Sequence, residues 1–353
     1  VTGTNGKTTI TWLMESIFSA CGYQTGVIGT IQIRYNGYQS DSRMTTPDAI
    51  ELQQILSDMK SAGVSHVIME VSSHGLKLNR VDGCRFDVGI FTNLTREHLD
   101  FHKDMDDYFR CKKQLFTRFI SAVPDQTGTA VLNLDDEKGQ ELFNTLECPC
   151  LGVSARKETD IFSSRVTDTI DGLSGAISLP GETIEFASPL AGRFNLENIL
   201  CAAGAAHALN IPAAIIRKGI EGCRAVPGRL EKIDNPLGRH IFVDYAHTPD
   251  ALESVLMTLK GMAPKRLITV FGCGGDRDKT KRPLMGEIAS RLSHIALVTS
   301  DNPRTEDPDA IIADILTGME DAVSLSDTDL AAAPLKKGYL VEPDRERALM
   351  KAI

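Results

Sequence analysis

Apolar positions in the first 150 residues switch between two periods. Ile10, Trp12, Leu13 and Ile17 recur at helical spacing and predict a helix over 8–21, and similar spacing predicts helices over 48–62, 104–122 and 136–146. Short β-rich runs between them predict strands over 26–31, 66–71, 87–92 and 129–133. Strands separated by helices of that length imply a mostly parallel central sheet in an α/β fold. From 154 to 190 the pattern shortens. Runs at 161–166, 175–179 and 183–186, broken by Asp171-Gly172 and Pro180-Gly181, predict a small antiparallel insert. Helical spacing returns over 194–209 and 212–223, then stops at Ala225-Val226-Pro227-Gly228-Arg229, where we expect the domain boundary. Beyond it a second alternation begins, with strands at 240–244, 266–271 and 296–299 and helices at 249–262, 282–292 and 308–319. Two domains are therefore expected, over 1–225 and 226–353. The pattern is still helical at Ile353, so the second domain is expected to be truncated.

A chain of 353 residues is long enough for two or three domains, each with its own core. Its formal charge of -9 argues against a nucleic-acid or anionic-membrane surface. No apolar run approaches the ~20 residues that span a bilayer, and no signal peptide is visible. The eight cysteines are scattered, and Cys148-Pro149-Cys150 is too tight for a zinc knuckle and lacks a second pair. Free thiols in a reducing cytoplasm, and a monomer, are the expectation.

The first chemistry lies at the start of the chain. Val1-Thr2-Gly3-Thr4-Asn5-Gly6-Lys7-Thr8-Thr9 runs directly into the first helical pattern. A glycine-rich loop that opens a helix aims several backbone N–H groups at one point, and the helix dipole favours an anion there. Lys7 would add charge on the outer phosphates, and Thr8 a hydroxyl for Mg²⁺. Val1 stands where the strict phosphate-loop pattern has Gly, so the loop is a variant. Such loops follow a buried strand, and only Val1 precedes this one, so the sequence is expected to be a piece of a longer chain. A second signal is His66-Val67-Ile68-Met69-Glu70, an apolar strand that ends in a carboxylate. Ligand crevices of α/β sheets lie beyond the strand C-termini, so Glu70 is expected beside the loop, on Mg²⁺. His98 and His102 stand four apart after another strand, yet no third ligand or suitably placed Glu accompanies them. Catalytic zinc is therefore not expected, and His98 is read as a ligand of a second Mg²⁺ or as a crevice residue.

Together, Gly3–Thr9, Met69-Glu-Val-Ser-Ser-His-Gly75, Thr92-Asn-Leu-Thr-Arg-Glu-His98-Leu-Asp-Phe-His102, Asp244-Tyr-Ala-His-Thr-Pro249 and Gly272-Cys-Gly-Gly-Asp-Arg277 resemble the Mur ligases, the ATP-dependent amide-bond-forming enzymes of peptidoglycan precursor synthesis. The resemblance covers essentially the whole chain, in order. It implies a central ATPase domain and a C-terminal Rossmann-like domain. It also implies an N-terminal domain for the uridine nucleotide and a Gly-Lys-Gly-His-Glu segment near the C-terminus, neither of which is in this sequence.

Carried over residue by residue, the resemblance makes Gly3, Thr4, Asn5, Gly6, Lys7, Thr8 and Thr9 the ATP phosphate cradle. Thr8 and Glu70 fall on Mg²⁺ and His98 on a second Mg²⁺. Tyr108-Phe-Arg-Cys-Lys112 is similar to a helix whose lysine is carbamylated, which makes Lys112 a further metal ligand; Cys111 replaces the usual Ala. Thr45, Thr46, Ser72 and Arg80 resemble contacts to the muramoyl-dipeptide, although Leu78 stands where the family often has Gln. Asn195 and Asn198 look like the adenine-side helix. Arg229, Asp244, Tyr245 and His247 would reach the nucleotide. Asp301, Asn302, Pro303 and Arg304 resemble the segment that reads the incoming amino acid, with Arg277 as a second contact. An Arg there is typical of members that add meso-diaminopimelate. The chemistry agrees, because diaminopimelate carries one carboxylate more than lysine and a guanidinium fork binds a carboxylate bidentately. The expected activity is ATP-driven addition of meso-diaminopimelate to UDP-N-acetylmuramoyl-L-Ala-D-Glu through an acyl phosphate. The alternatives are a lysine-adding sister, a folylpolyglutamate-type ligase, or a catalytically incomplete nucleotide-binding module. A GTPase switch would need Asn-Lys-x-Asp, and the chain contains no Asn-Lys pair. The fragment alone is expected not to turn over, or only barely.

Overall fold

The computed structural model describes residues 1–120, 128–331 and 336–353, which form two compact units, Val1–Val243 and Asp244–Ile353. The first unit opens with α1 (Lys7–Ala20), β1 (Thr25–Ile28), β2 (Gln32–Tyr35), β3 (Tyr38–Asp41), α2 (Ala49–Ser61), β4 (His66–Met69), α3 (Ser73–Lys77), β5 (Val88–Phe91) and α4 (Met105–Gln114). It continues with β6 (Thr129–Asn133), α5 (Glu137–Thr145), β7 (Cys150–Ser154), β8 (Ile161–Thr169), β9 (Gly172–Leu179), β10 (Glu182–Ser188), α6 (Arg193–Ala208), α7 (Ala213–Gly222), β11 (Glu231–Ile233) and β12 (Ile241–Val243).

Strands β1–β10 form two sheets, in the orders β3-β2-β1-β4 and β10-β9-β8-β7-β6-β5, and β11 with β12 forms a separate two-stranded ribbon. Residues Val1 and Thr2 join the two sheets. The Val1 carbonyl accepts the Val71 N–H at 2.8 Å, while the Thr2 N–H donates to Ile90 O at 2.8 Å and Thr2 O accepts from Thr92 at 3.1 Å. These two residues take the place of the buried strand that a phosphate loop follows, between β4 and β5. Glycines 3 and 6 thus emerge at the C-terminal edge of a parallel region, where α/β sheets bind ligands.

One apolar cluster packs α1, α6 and α7 on one face, around Ile10, Leu13, Ile17, Ile199, Ala202, Ala206 and Ile216. A second, with Leu52, Met59, Phe109, Phe116 and Phe119, covers the other face. The helix expected over 104–122 is α4, continued by a π-helical segment Leu115–Ile120, and residues 121–122 lie outside the described residues. The insert expected over 154–190 is antiparallel, β8 with β9 and β9 with β10, and it extends the main sheet because β8 also pairs in parallel with β7 through Val153 and Ile161. The hairpin β2–β3 was not foreseen. Its turn is Asn36-Gly37, with φ 43° and 81°, the pair that a two-residue hairpin turn favours.

The second unit contains α8 (Pro249–Gly261), β13 (Ile268–Phe271), α9 (Lys281–Leu292), β14 (Ile295–Val298), α10 (Pro308–Leu316), β15 (Gly338–Val341) and α11 (Arg345–Ala352). Strands β13, β14 and β15 form a parallel sheet in that order. Leu252, Leu256, Met285, Ile288, Ile312 and Ile315 pack in one cluster, and Ile295, Leu297, Leu340 and Ala348 in another. The strand expected over 240–244 does not join this sheet; as β12 it pairs antiparallel with β11, within the first unit. The expected boundary at 225/226 and the division after Val243 therefore differ by this two-stranded ribbon.

Candidate active site

The loop needs its glycines. Gly3 sits at φ 144° and Gly6 at φ 88°, a region costly for residues with a Cβ. A Cβ on Gly3 would lie 1.8 Å from Thr92 Oγ1, and one on Gly6 would lie 2.3 Å from Asn198 Oδ1. No side chain caps α1, so its first N–H groups are left for an anion. Lys7 Nζ folds back and donates to Gly3 O at 2.9 Å and to Thr4 O at 2.7 Å. Lys112, from α4, donates to the same Gly3 carbonyl at 2.8 Å. Two lysine side chains, Lys7 half-buried and Lys112 buried, thus converge on one oxygen. Burial lowers the pKa of both, that of Lys112 far below the ordinary lysine value, with the neighbouring Lys7 charge adding to the effect. Thr4 Oγ1 bonds Tyr108 Oη at 3.1 Å, and Asn5 N donates to Asn93 Oδ1 at 2.9 Å. Thr9 is buried in the first turn of α1.

Glu70 directly follows β4 and is 1% exposed. Its Oε1 accepts from Thr8 Oγ1 at 3.0 Å and from Thr30 N at 2.9 Å, and its Oε2 accepts from Thr30 Oγ1 at 2.8 Å. Thr45 Oγ1 lies 3.0 Å from Thr30 Oγ1, and Arg229 Nη2 donates to Thr8 Oγ1 at 3.3 Å. A hydroxyl and a carboxylate facing each other are the hard oxygen donors that Mg²⁺ takes, so these residues fit that ion. Thr30 was missed by the sequence reading. Its signal was its place just past β1, at the strand ends that border the loop.

Thr46, Ser72 and Arg80 come together beside this pair. Thr46 Oγ1 donates to Glu70 O at 3.0 Å and accepts from Ser72 N at 2.9 Å. Ser72 Oγ caps α3 through Gly75 N at 3.0 Å, and Arg80 reaches Thr46 O at 3.0 Å and the Asp48 carboxylate at 3.0 Å. Leu78 is exposed. His98, at φ 57°, has Nε2 3.5 Å from Glu97 Oε2 and stands edge-on to His74 at 4.9 Å. Burial lowers the His98 pKa, and the Lys112 and Lys7 charges push the same way. Burial, then His98 and His102, brings His74 down to about 4. His102 is committed elsewhere, to Ser73 Oγ at 2.9 Å and Asp107 Oδ2 at 3.3 Å. The donor atoms of His102, Asp107 and Cys111 lie within 4.8 Å of one another, but Lys77 already pairs with Asp107 at 2.5 Å. At the start of α6, Asn195 Nδ2 donates to Ala191 O at 2.8 Å and Asn198 Nδ2 to Asn195 Oδ1 at 3.2 Å, so both buried amides brace the helix against Gly6.

The second unit holds the remaining candidates. Asp244 Oδ1 accepts from Ala246 N at 2.8 Å, and the exposed Tyr245 and His247 rings meet at 4.9 Å. The loops after β13 and β14 bring Arg277 and 301–304 together. Gly275 N donates to Asn302 O at 2.9 Å, and Arg304 Nη1 to Gly275 O at 2.5 Å. A Cβ on Gly275 would lie 1.8 Å from Pro303 O, and one on Gly274 would lie 2.9 Å from Arg304 Nη1 and 4.0 Å from Arg277 Cγ. Asp301 and Asn302 are exposed at the same edge.

The sequence pattern of the Mur ligase middle domain matches residues 1–206, and that of the Mur ligase glutamate ligase domain matches 228–353. A UDP-N-acetylmuramoyl-L-alanyl-D-glutamate–2,6-diaminopimelate ligase of Geobacter metallireducens is 49% identical over 342 residues, covering 96% of this chain and 66% of that protein. The protein of the same name from Gloeobacter violaceus is 44% identical, covering 100% of this chain and 68% of that one. The chain thus spans about two thirds of the length of these curated relatives. A solved structure of a ligase of that name superposes with a TM-score of 0.67 at 33% identity, covering 98% of this chain and 68% of the other. The Mycobacterium tuberculosis folylpolyglutamate synthase complexed with ADP and AMPPCP superposes with a TM-score of 0.74 at 18% identity, covering 98% and 88%, a likeness of fold. Among the described residues no helix is long and apolar enough to cross a membrane.

Proposed function

This chain belongs to the Mur ligase family, and on that footing we propose that the full-length protein uses ATP to join meso-diaminopimelate to UDP-N-acetylmuramoyl-L-Ala-D-Glu in peptidoglycan precursor synthesis. Within the chain, the observation that carries this reading is the convergence of Lys7 and Lys112 on the Gly3 carbonyl, next to the Thr8–Glu70 pair. The domain limits 1–225 and 226–353 are supported by where the two family patterns stop and start. We take the protein to be cytoplasmic and monomeric, with no nucleic-acid partner.

In the reaction, the D-Glu side-chain carboxylate attacks the γ-phosphorus of ATP and ADP leaves, giving an acyl phosphate. The amine of diaminopimelate then attacks the acyl carbon, and phosphate departs from the tetrahedral intermediate. The first step drives two anions together, so the site has to be cationic. Lys7 leaves its loop carbonyls for the outer phosphates, and the uncapped N–H groups of α1 with the Gly3–Gly6 backbone hold the rest. Asn195 and Asn198 border the adenine side, and Arg229, Asp244, Tyr245 and His247 contribute further nucleotide contacts. Thr45, Thr46, Ser72 and Arg80 orient the dipeptide. Thr8 and Glu70 would hold Mg²⁺, and His98 with Lys112 a second, the ions supplying charge neutralisation on the phosphates. Lys112 serves best as a carbamate: its amine attacks CO₂, a proton is released, and a repelling cation becomes an oxygen ligand. Arg304 and Arg277 read the distal carboxylate of diaminopimelate. A guanidinium left without that carboxylate disfavours lysine, so one residue both attracts and rejects.

Phosphate release from ATP by the full-length protein tests this, given UDP-N-acetylmuramoyl-L-Ala-D-Glu and, separately, meso-diaminopimelate, L-lysine or L-ornithine. Release with diaminopimelate alone is expected. Release with lysine instead would keep the ligase and discard the reading of Arg304; no release with any amine would reject the ligase.

A further inference from the structure

The loops after β13 and β14 are laced by a charged network that the reaction above leaves unused. Arg282, in the first turn of α9, is 1% exposed. Its Nη1 donates to Glu306 Oε2 at 3.0 Å and Asp314 Oδ2 at 2.8 Å, and its Nη2 to Glu306 Oε1 at 2.8 Å and Gly274 O at 3.3 Å. Glu306 also accepts the Asp276 N–H at 2.6 Å and pairs with Lys279 at 2.9 Å. The Asp276 carboxylate crosses back to accept from Thr305 N at 3.2 Å and Thr305 Oγ1 at 2.7 Å. Asp276 and Arg304 both sit at φ 52°, a left-handed conformation that Asp tolerates and that is uncommon for Arg.

We propose that Arg282, Glu306, Asp276 and Thr305 are positioning residues that hold Arg304 and Arg277 together over Gly274 as one carboxylate receptor, and so set selectivity for a diamino diacid over a diamino monoacid. The inference rests on the specificity reading given above for Arg304. Bidentate recognition requires the fork to be held in orientation as well as present, because a mobile guanidinium must be ordered at each binding event. Arg304 has one nitrogen anchored on Gly275 O, and that carbonyl adjoins Asp276, whose carboxylate is tied to Thr305, the neighbour of Arg304. The frame therefore closes around the arginine from both loops. A substrate with no distal carboxylate makes no use of that order.

The test uses the full-length protein with Thr305→Val, Thr305→Ser and Asp276→Asn. Position 305 is exposed and Asn tolerates the backbone of Asp276, so folding should survive, as a melting curve will verify. Thr305→Val and Asp276→Asn are expected to raise KM for diaminopimelate about tenfold, with kcat and KM for ATP within about twofold of wild type. Lysine should still give no phosphate release with any of the variants, and Thr305→Ser should behave as wild type. An unchanged KM for diaminopimelate, or a KM for ATP raised as much as that for diaminopimelate, would overturn the inference. A wild-type protein that ignores diaminopimelate would instead sink the specificity reading itself, and this inference with it.

Discussion

At the scale of single residues, Lys112 shows how context rewrites a side chain. On sequence grounds alone it is one of two adjacent lysines on a helix, and only the resemblance to a modified lysine set it apart. The structure gives the reason: α4 buries Lys112 but leaves Lys113 at the helix surface, and it delivers the Lys112 amine to the oxygen that Lys7 already holds. Burial and the Lys7 charge both disfavour the ammonium form. CO₂ reacts only with the neutral amine, whose share grows as pH rises through the folded-state pKa and shrinks as pH falls through it. Because that pKa is depressed, Lys112 should take up label from carbon-13 bicarbonate at a pH where ordinary lysines stay protonated, and lose it on acidification. Lys112→Arg should abolish both the carbamate NMR signal and ligation. Ligation that survives Lys112→Arg would reject the carbamate role. Thr30, by contrast, carried no motif. Its bonds to Glu70 depend on β1 and β4 lying side by side, a pairing that no local pattern encodes.

At the scale of elements, the strong helical periods and parallel strands were readable because each buries a regular stripe or face. The readings that went astray involve pairing. Strand β12 has strand-like residues, but which sheet it joins depends on β11; the antiparallel insert was legible, and only its attachment to the main sheet through β7 was not. The β2–β3 hairpin was legible in Asn36-Gly37 and went unread, since its strands span only four residues each. Where two elements meet, the loop makes a sharp demand. Gly6 faces Asn198 at the start of α6, and Asn198 is buried and tied to Asn195. Gly6→Ala should therefore destabilise in two parts, a steric part and a left-handed backbone part of roughly 1–2 kcal/mol. Adding Asn198→Ala should recover the steric part alone. Urea denaturation of both single variants and the double variant measures the split; full recovery in the double variant would show that backbone strain is absent.

At the scale of the whole molecule, the chain divides its apolar core as it divides its candidate chemistry. The clusters around Ile17 and Phe116 draw only on the first unit, and those around Ile315 and Leu297 only on the second. The phosphate loop, both lysines and Glu70 stand on the first pair of clusters, the carboxylate-reading arginines on the second. Composition bounded the number of cores, but the assignment of each site to a core had to come from topology. Separate cores make a thermodynamic prediction. Leu13 and Ile315 are both fully buried, and truncating either to Ala should cost about 2–5 kcal/mol through lost transfer energy and a residual cavity. In calorimetry of the full-length protein, Leu13→Ala should lower one unfolding transition and Ile315→Ala another, each leaving its counterpart within about 0.5 kcal/mol of wild type. A single transition displaced by both substitutions would mean that the cores unfold as one cooperative block, and that a lesion under the amino-acid loops weakens the phosphate site as well.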